Sequence, residues 1–159
     1  MVPPKLRVMK KRKSWREKLE RPQERKIIAT PKGRMLIPKP TDINEVVKVI
    51  EKGKLVTDAQ IREYLAKKYG ADYTCPMTAG IFLRIVSEAA EEDLKKGVKE
   101  IAPYWRVVRR DGSLIDKFPG GVEAQATRLE EEGHTIIWVG RKKKPKVAGF
   151  QKAIQALLD

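Results

Sequence analysis

The chain has 159 residues, with 35 Lys and Arg against 21 Asp and Glu, a net charge of +14. Its 41% hydrophobic content supports a core, so wholesale disorder is excluded, and the length predicts one domain, or one domain and a tail. No run approaches the ~20 apolar residues of a membrane helix, the basic N-terminus lacks the apolar centre of a signal peptide, and one Cys and one His argue against a disulfide framework, a zinc cluster or any other metal site.

The positive excess points to a polyanion, above all nucleic acid, whose neutralised phosphates release counterions. The alternative source is the charged surface of a thermophile's protein, which fits the abundant Glu and Lys and the single Asn. Residues 1–26 carry eleven Lys or Arg and three Glu, a local charge of +8. They read as a basic arm, helical around 14–20, that tracks a phosphate backbone or is merely solvated. The predicted division is an arm over residues 1–32 and a folded domain over 33–159.

Met35-Leu36-Ile37 is a short apolar run that Pro38 and Pro40 end, and it predicts a strand. Ile43, Val46, Val47 and Ile50 then recur at helical spacing, with Asp42 and Glu45 as a capping box. Thr57-Asp58-Ala59-Gln60 repeats that box before Ile61, Tyr64 and Leu65, and Gly70 closes the helix. Thr74-Cys75-Pro76 opens a third helix with an apolar face of Met77, Ile81, Phe82, Ile85, Val86, Ala89 and Leu94. Two short capped helices and a longer one predict a helix-turn-helix, whose last helix enters a groove; a plain helical core gives the same pattern.

Beyond Pro103 the texture changes. Trp105 to Val108 predicts a strand, and Arg110-Asp111-Gly112-Ser113 a hairpin turn. Phe118-Pro119-Gly120-Gly121 is a loop whose glycines allow close backbone approach. A helix over 121–132, a strand over 135–139, a basic turn over 141–146 and a final helix carrying Phe150, Ile154, Leu157 and Leu158 complete the prediction.

Pro103-Tyr104-Trp105-Arg106-Val107-Val108, the Asp-Gly turn and Gly120-Gly121 resemble the active-site stretch of the alkylguanine-DNA alkyltransferases, whose pattern is Pro-Cys-His-Arg-Val-Val, a short turn, then Gly-Gly opening a helix. Glu132-Gly133-His134 is similar to the end of that helix in the family. Gly53 to Thr57 with Gln60-Ile61 resembles its helix-turn-helix entry, and Pro76 the start of its recognition helix. The resemblance spans about residues 35–139. It implies an α/β, winged-helix-like helix-turn-helix domain of the alkyltransferase type, with a short β-hairpin and a basic N-terminal arm.

The departures bear on function. Tyr104 stands in the place of the family's nucleophilic cysteine and Trp105 in that of its histidine base. A phenol with a pKa near ~10 and no evident base is a poor acceptor of an alkyl group. Gly80 replaces the arginine that fills the gap left by a flipped base, and Asp58 replaces a tyrosine. The one thiol, Cys75, lies at a helix start outside the motif, where a helix N-terminus lowers a thiol pKa.

What remains resembles the alkyltransferase-like branch, which implies non-enzymatic binding of alkylated or otherwise damaged bases in double-stranded DNA. That reading predicts a lesion pocket of Tyr104, Trp105, Phe118, Pro119, Gly120 and Gly121, with aromatic faces for a flipped base. Thr74, Thr78, Arg84, Arg106, Lys67, Arg109 and Arg110 are its expected DNA contacts. It implies no metal and no cofactor, a monomer in the cytoplasm on the nucleoid, and other repair proteins as partners. Three alternatives stay open. Tyr104 and Trp105 plug the pocket and leave a general or regulatory DNA-binding protein; Glu132 serves as the carboxylate of a base-excising glycosylase; or the chain binds RNA.

Overall fold

In the computed structural model, residues 13–138, 140 and 144–158 are described. Residues 1–12 of the expected arm and 141–143 of the expected basic turn lie outside them. At residue 14 the Ser hydroxyl accepts the Glu17 N–H at 3.1 Å and starts α1, Trp15–Glu20. Leu19 anchors this helix in the core.

A hairpin follows. β1 (Lys26–Thr30) pairs antiparallel with β2 (Gly33–Ile37), in register from Lys26↔Ile37 to Thr30↔Gly33, so only Pro31 and Lys32 make the turn. The sequence pattern contains the end of β2 but not β1, because Ile27 and Ile28 are both exposed and no alternation marks a buried face. The hairpin therefore straddles the division expected at residue 32. β2 also pairs in parallel with β4 (Tyr73–Thr74).

The three helices form in the expected order. α2 spans Pro40–Lys48. Asp42 is not its N-cap, as the capping pattern suggested, but its third residue, because Pro40 already fits the first turn. From there the carboxylate accepts the Lys39 N–H at 2.9 Å and both prongs of Arg25 at 2.9 and 2.8 Å. Arg25 also stacks on Tyr69 at 3.8 Å, which ties the hairpin's entry to α2 and to α3. α3, Asp58–Lys68, follows the two-residue strand β3, Val56–Thr57. Its capping box is closed in both directions: Gln60 N–H to Thr57 Oγ1 at 3.0 Å, and Thr57 N–H to Gln60 Oε1 at 2.8 Å. α4, Pro76–Lys95, is the long helix of the helix-turn-helix.

The buried stripe of α4 differs from the expected one. Ala79, Leu83, Val86, Ala89 and Ala90 face the core, where they meet Ile43, Val46 and Val47 of α2 and Ile61 and Leu65 of α3. Met77 is 76% exposed and Ile81 54%. Small residues let α4 pack closely on its neighbours, and the larger apolar side chains are left on its free face.

The second half builds a smaller core of Leu55, Val108, Leu114, Ala126, Leu129, Ile136 and Val147. Only Val107–Val108 of the expected strand is β5, in parallel with β3; Tyr104–Arg106 before it is a 3-10 turn. The Asp111-Gly112 turn forms, but Ser113 bridges to Lys146 instead of returning along β5. Gly112 has φ +84°, and a Cβ there would lie 2.3 Å from the Phe150 ring. α5 is Gly121–Glu131, and β6 (Ile136–Ile137) pairs antiparallel with β7 (Lys146–Val147). The expected final helix is instead a 3-10 turn over Phe150–Ala153 and then extended chain. Ile154 bridges in parallel to Leu55, and Gln155 bonds to the backbone of Val49, Glu51 and Leu55, which an α-helix there would forbid.

Candidate nucleic-acid interface

The free face of α4 is a stripe of Pro76, Met77, Gly80, Ile81 and Arg84, spaced by one helical turn. It forms one side of a cleft of about 660 Å³. Asp58 and Arg62 of α3, Trp15 and Lys18 of α1, Arg109, and Ile115, Lys117 and Phe118 from the loop before α5 also line it, with the core residues Ile43, Ile61 and Leu83 among them. Small-molecule sites commonly measure about 300–1,000 Å³. The lining joins apolar surface to five cations, Lys18, Arg62, Arg84, Arg109 and Lys117, against one carboxylate, Asp58. Arg62 pairs with Asp58 at 3.6 Å and Arg109 with Asp116 at 3.4 Å. Lys18, Arg84 and Lys117 form no ion pair among the described residues. The cleft suits a flat apolar group that carries negative charge.

Of the expected lesion pocket, Phe118 reaches this cleft. Tyr104 does not line it. Its ring is 3% exposed and packs edge-on against Trp105 (5.4 Å between centroids) and Phe118 (5.0 Å). Its hydroxyl donates to Glu91 Oε1 at 2.6 Å, and the Arg128 guanidinium takes the same oxygen at 2.7 Å. Burial first, then the Glu91 carboxylate, push the phenol well above its ordinary pKa. Tyr104 is therefore a neutral core residue, with neither face open to a base. Trp105 does not line the cleft either, and the Arg128 guanidinium lies 4.3 Å from its ring. Gly120 and Gly121 start α5 with φ +80° and +73°, and a Cβ on Gly120 would meet Ala124 at 2.6 Å. These glycines serve the tight entry to α5, with Pro119 half-buried beside them.

Arg106 and Glu132 form a closed pair. Arg106 Nε and Nη2 meet the two Glu132 oxygens at 2.9 and 2.6 Å, while Nη1 donates to the Ile50 carbonyl at 2.6 Å. The side chains are 13% and 9% exposed. Burial alone would raise the Glu132 pKa, but the Arg106 guanidinium, with Trp105 and His134, holds the carboxyl below its ordinary range. Three hydrogen bonds thus hold Arg106 within the fold, two of them to the Glu132 carboxylate.

The remaining expected contacts divide. Thr74 is buried and donates to the Arg62 carbonyl at 2.7 Å, which fixes the turn between α3 and α4. Thr78 donates to the Cys75 sulfur at 3.3 Å. Burial would raise that thiol's pKa, but bonds from Thr78 and the start of α4 lower it. Arg84, Lys67 and Arg110 are exposed, Arg110 within 3.5 Å of Glu63. The residues missed by sequence reasoning are Trp15, Lys18, Arg62, Met77, Ile81, Ile115 and Lys117. For Met77 and Ile81 the signal was present as a second apolar stripe on α4, wider than one core face needs. Trp15 and Lys18 carried no signal beyond one aromatic in a basic stretch.

Among the described residues no helix is long and apolar enough to cross a membrane, and no group of three His, Cys, Asp or Glu is placed to hold a metal. No family model and no curated protein sequence matches the chain. Two solved structures share its fold. One is Atl1 of S. pombe in complex with damaged DNA containing O6-carboxymethylguanine, with TM-score 0.50 and 20% identity. The other is ATL of S. pombe in complex with DNA, with TM-score 0.52 and 21% identity. Each likeness covers 74% of this chain and 94% of the other.

Proposed function

We propose that this protein binds double-stranded DNA through the free face of α4 and receives a displaced, damaged base in the adjoining cleft, without chemical reaction. The observation that carries this reading is the exposed stripe of Met77, Gly80, Ile81 and Arg84 that lines a cationic cleft of nucleotide size. Apolar side chains presented to the minor groove act as wedges that unstack a base step, and a nearby Arg pairs with phosphate or fills the vacated space. A damaged base costs less to extrude than a sound one, which supplies selectivity. That Atl1 shares the fold and was solved on DNA containing O6-carboxymethylguanine supports alkylated guanine as the class of lesion.

Two features support binding without alkyl transfer. The residue in the nucleophile's place, Tyr104, is a buried neutral phenol already bonded to Glu91. The thiol of Cys75 precedes α4 and is not among the residues that line the cleft. Base excision through Glu132 is disfavoured, because its side chain is paired with Arg106, only 9% exposed and not among the residues that line the cleft. The protein then marks a lesion for other repair factors. It acts as a member of the alkyltransferase-like branch whose receptor lies against α4 instead of over Tyr104 and Trp105.

Substitution on the free face tests the placement. Met77→Asp and Ile81→Asp add charge at exposed positions, so the fold should persist. Each should weaken duplex binding by tenfold or more at fixed moderate salt. Unchanged affinity in both variants, with circular dichroism intact, would place the DNA elsewhere.

A further inference from the structure

α1 does not trail from the domain. The Trp15 and Arg16 backbone N–H groups donate to the two oxygens of Glu92 on α4 at 3.0 and 3.2 Å. Arg16 also ion-pairs with Asp93, and Leu19 is buried beneath the helix. These bonds hold α1 across the second half of α4, where it walls the cleft. The Trp15 ring is half-buried there, with Lys18 Nζ 4.0 Å from its centroid and Arg84 Cζ at 5.7 Å. Trp15 thus brings a second aromatic, besides Phe118, to the cleft lining, and two cations without an ion pair stand beside it.

We propose that Trp15 and Lys18 complete the receptor for the displaced nucleotide: the Trp15 indole stacks on the base, and the Lys18 ammonium pairs with its phosphate. This rests on the reading that the cleft receives a base, and it assigns the holding of the extruded base to a segment in the basic N-terminal stretch. In the free protein Lys18 covers the indole. A base entering the cleft takes that position, and the ammonium moves the short distance to the phosphate it neutralises. Stacking on an aromatic face is tolerant of base identity, so Trp15 rewards extrusion itself, while the cleft's shape selects among bases. Charge complementarity favours a nucleotide over an uncharged ligand, since Lys18, Arg84 and Lys117 are unpaired among the described residues.

The test uses the full chain with a duplex that is either unmodified or carries one O6-carboxymethylguanine. Tryptophan emission and binding anisotropy are read together for the wild type and for Trp15→Phe, Trp15→Leu and Lys18→Ala. The wild type should bind the lesion duplex more tightly, with emission quenched by the lesion duplex alone. Trp15→Phe should keep most of the preference and lose most of the quench. Trp15→Leu should lose about tenfold in lesion affinity and keep its affinity for unmodified duplex. Lys18→Ala should lower the slope of log affinity against log salt by about 1. Equal lesion preference in Trp15→Leu and wild type, or a quench that survives in Trp15→Phe, would overturn the proposal and leave DNA binding standing. A wild type without lesion preference removes the parent reading, and that shows in the wild-type arm alone.

Discussion

Glu91 Oε1 accepts the Tyr104 hydroxyl at 2.6 Å and the Arg128 guanidinium at 2.7 Å, so one carboxylate oxygen on α4 joins the motif turn to α5. Tyr104→Phe should therefore cost about 1.5–3 kcal/mol, the range for a hydrogen bond to a charged group, as a lower urea midpoint with an unchanged slope. Tyr104→Cys places a thiol at a buried position that does not line the cleft. Incubation with duplex carrying a labelled O6-methylguanine should leave that variant unlabelled.

The Arg106–Glu132 pair makes a second prediction. Glu132→Gln leaves Arg106 buried against a neutral amide and should destabilise the fold by about 3–5 kcal/mol. Under conditions where that variant remains folded, its DNA affinity should match the wild type. Wild-type protein incubated with several lesion duplexes should produce no alkali-labile sites.

Acid sensitivity follows from the depressed pKa values. Burial works against ionisation of Asp42 and Glu132, but Arg25 with Lys39 around the first, and Arg106 with Trp105 and His134 around the second, together outweigh it, so both carboxyls titrate below their ordinary range in the folded state. A depressed folded pKa means that stability is fully present above the unfolded value, about 4, and is lost as pH falls through the folded one. Burial likewise lowers the pKa of His134. The sign is the same, with loss beginning below about 6.5. Urea midpoints should then fall in two stages on acidification. His134→Gln should remove the first stage, and Asp42→Asn should blunt the second.

Exposed cations outside the cleft should act without sequence or lesion preference. Lys67→Ala and Arg110→Ala are expected to lower affinity for damaged and undamaged duplex equally and to reduce the salt slope by about 1 each. Arg84→Ala should differ, since its guanidinium lies beside Trp15 and lines the cleft. It should reduce the lesion preference itself.

Local rules carried the helices well. Thr57 and Gln60 form the box their spacing predicts, and Pro76 opens α4, because capping depends on neighbours three residues apart. The site was harder to read. Met77 and Ile81 are apolar and helical in spacing, so pattern alone assigns them to the core. Only the tertiary packing shows that Ala79 and Leu83 take that role. The resemblance at Pro103 to Val108 located the motif, yet the Glu91–Tyr104–Arg128 junction depends on residues 13 to 37 positions apart whose pairing no local rule specifies. Trp15 meets Arg84 across 69 residues, and the ion pair of Arg16 with Asp93 that docks α1 spans 77. Such contacts are products of the fold and leave no periodicity in the chain. The strand β1 was missed for the opposite reason, since both of its faces meet solvent and erase the alternation that would mark it.

The central claim is that the cleft beside α4 receives a damaged base. It is tested most directly by titrating the wild type, at one moderate salt concentration, against a duplex that differs at a single position. That position holds guanine, O6-methylguanine, O6-carboxymethylguanine or hypoxanthine. The account predicts at least tenfold tighter binding to one of the O6-alkylated guanines than to guanine, about 1.4 kcal/mol, and loss of that difference in Arg84→Ala. Equal affinity for all four duplexes would contradict it and leave a protein that binds DNA without reading damage.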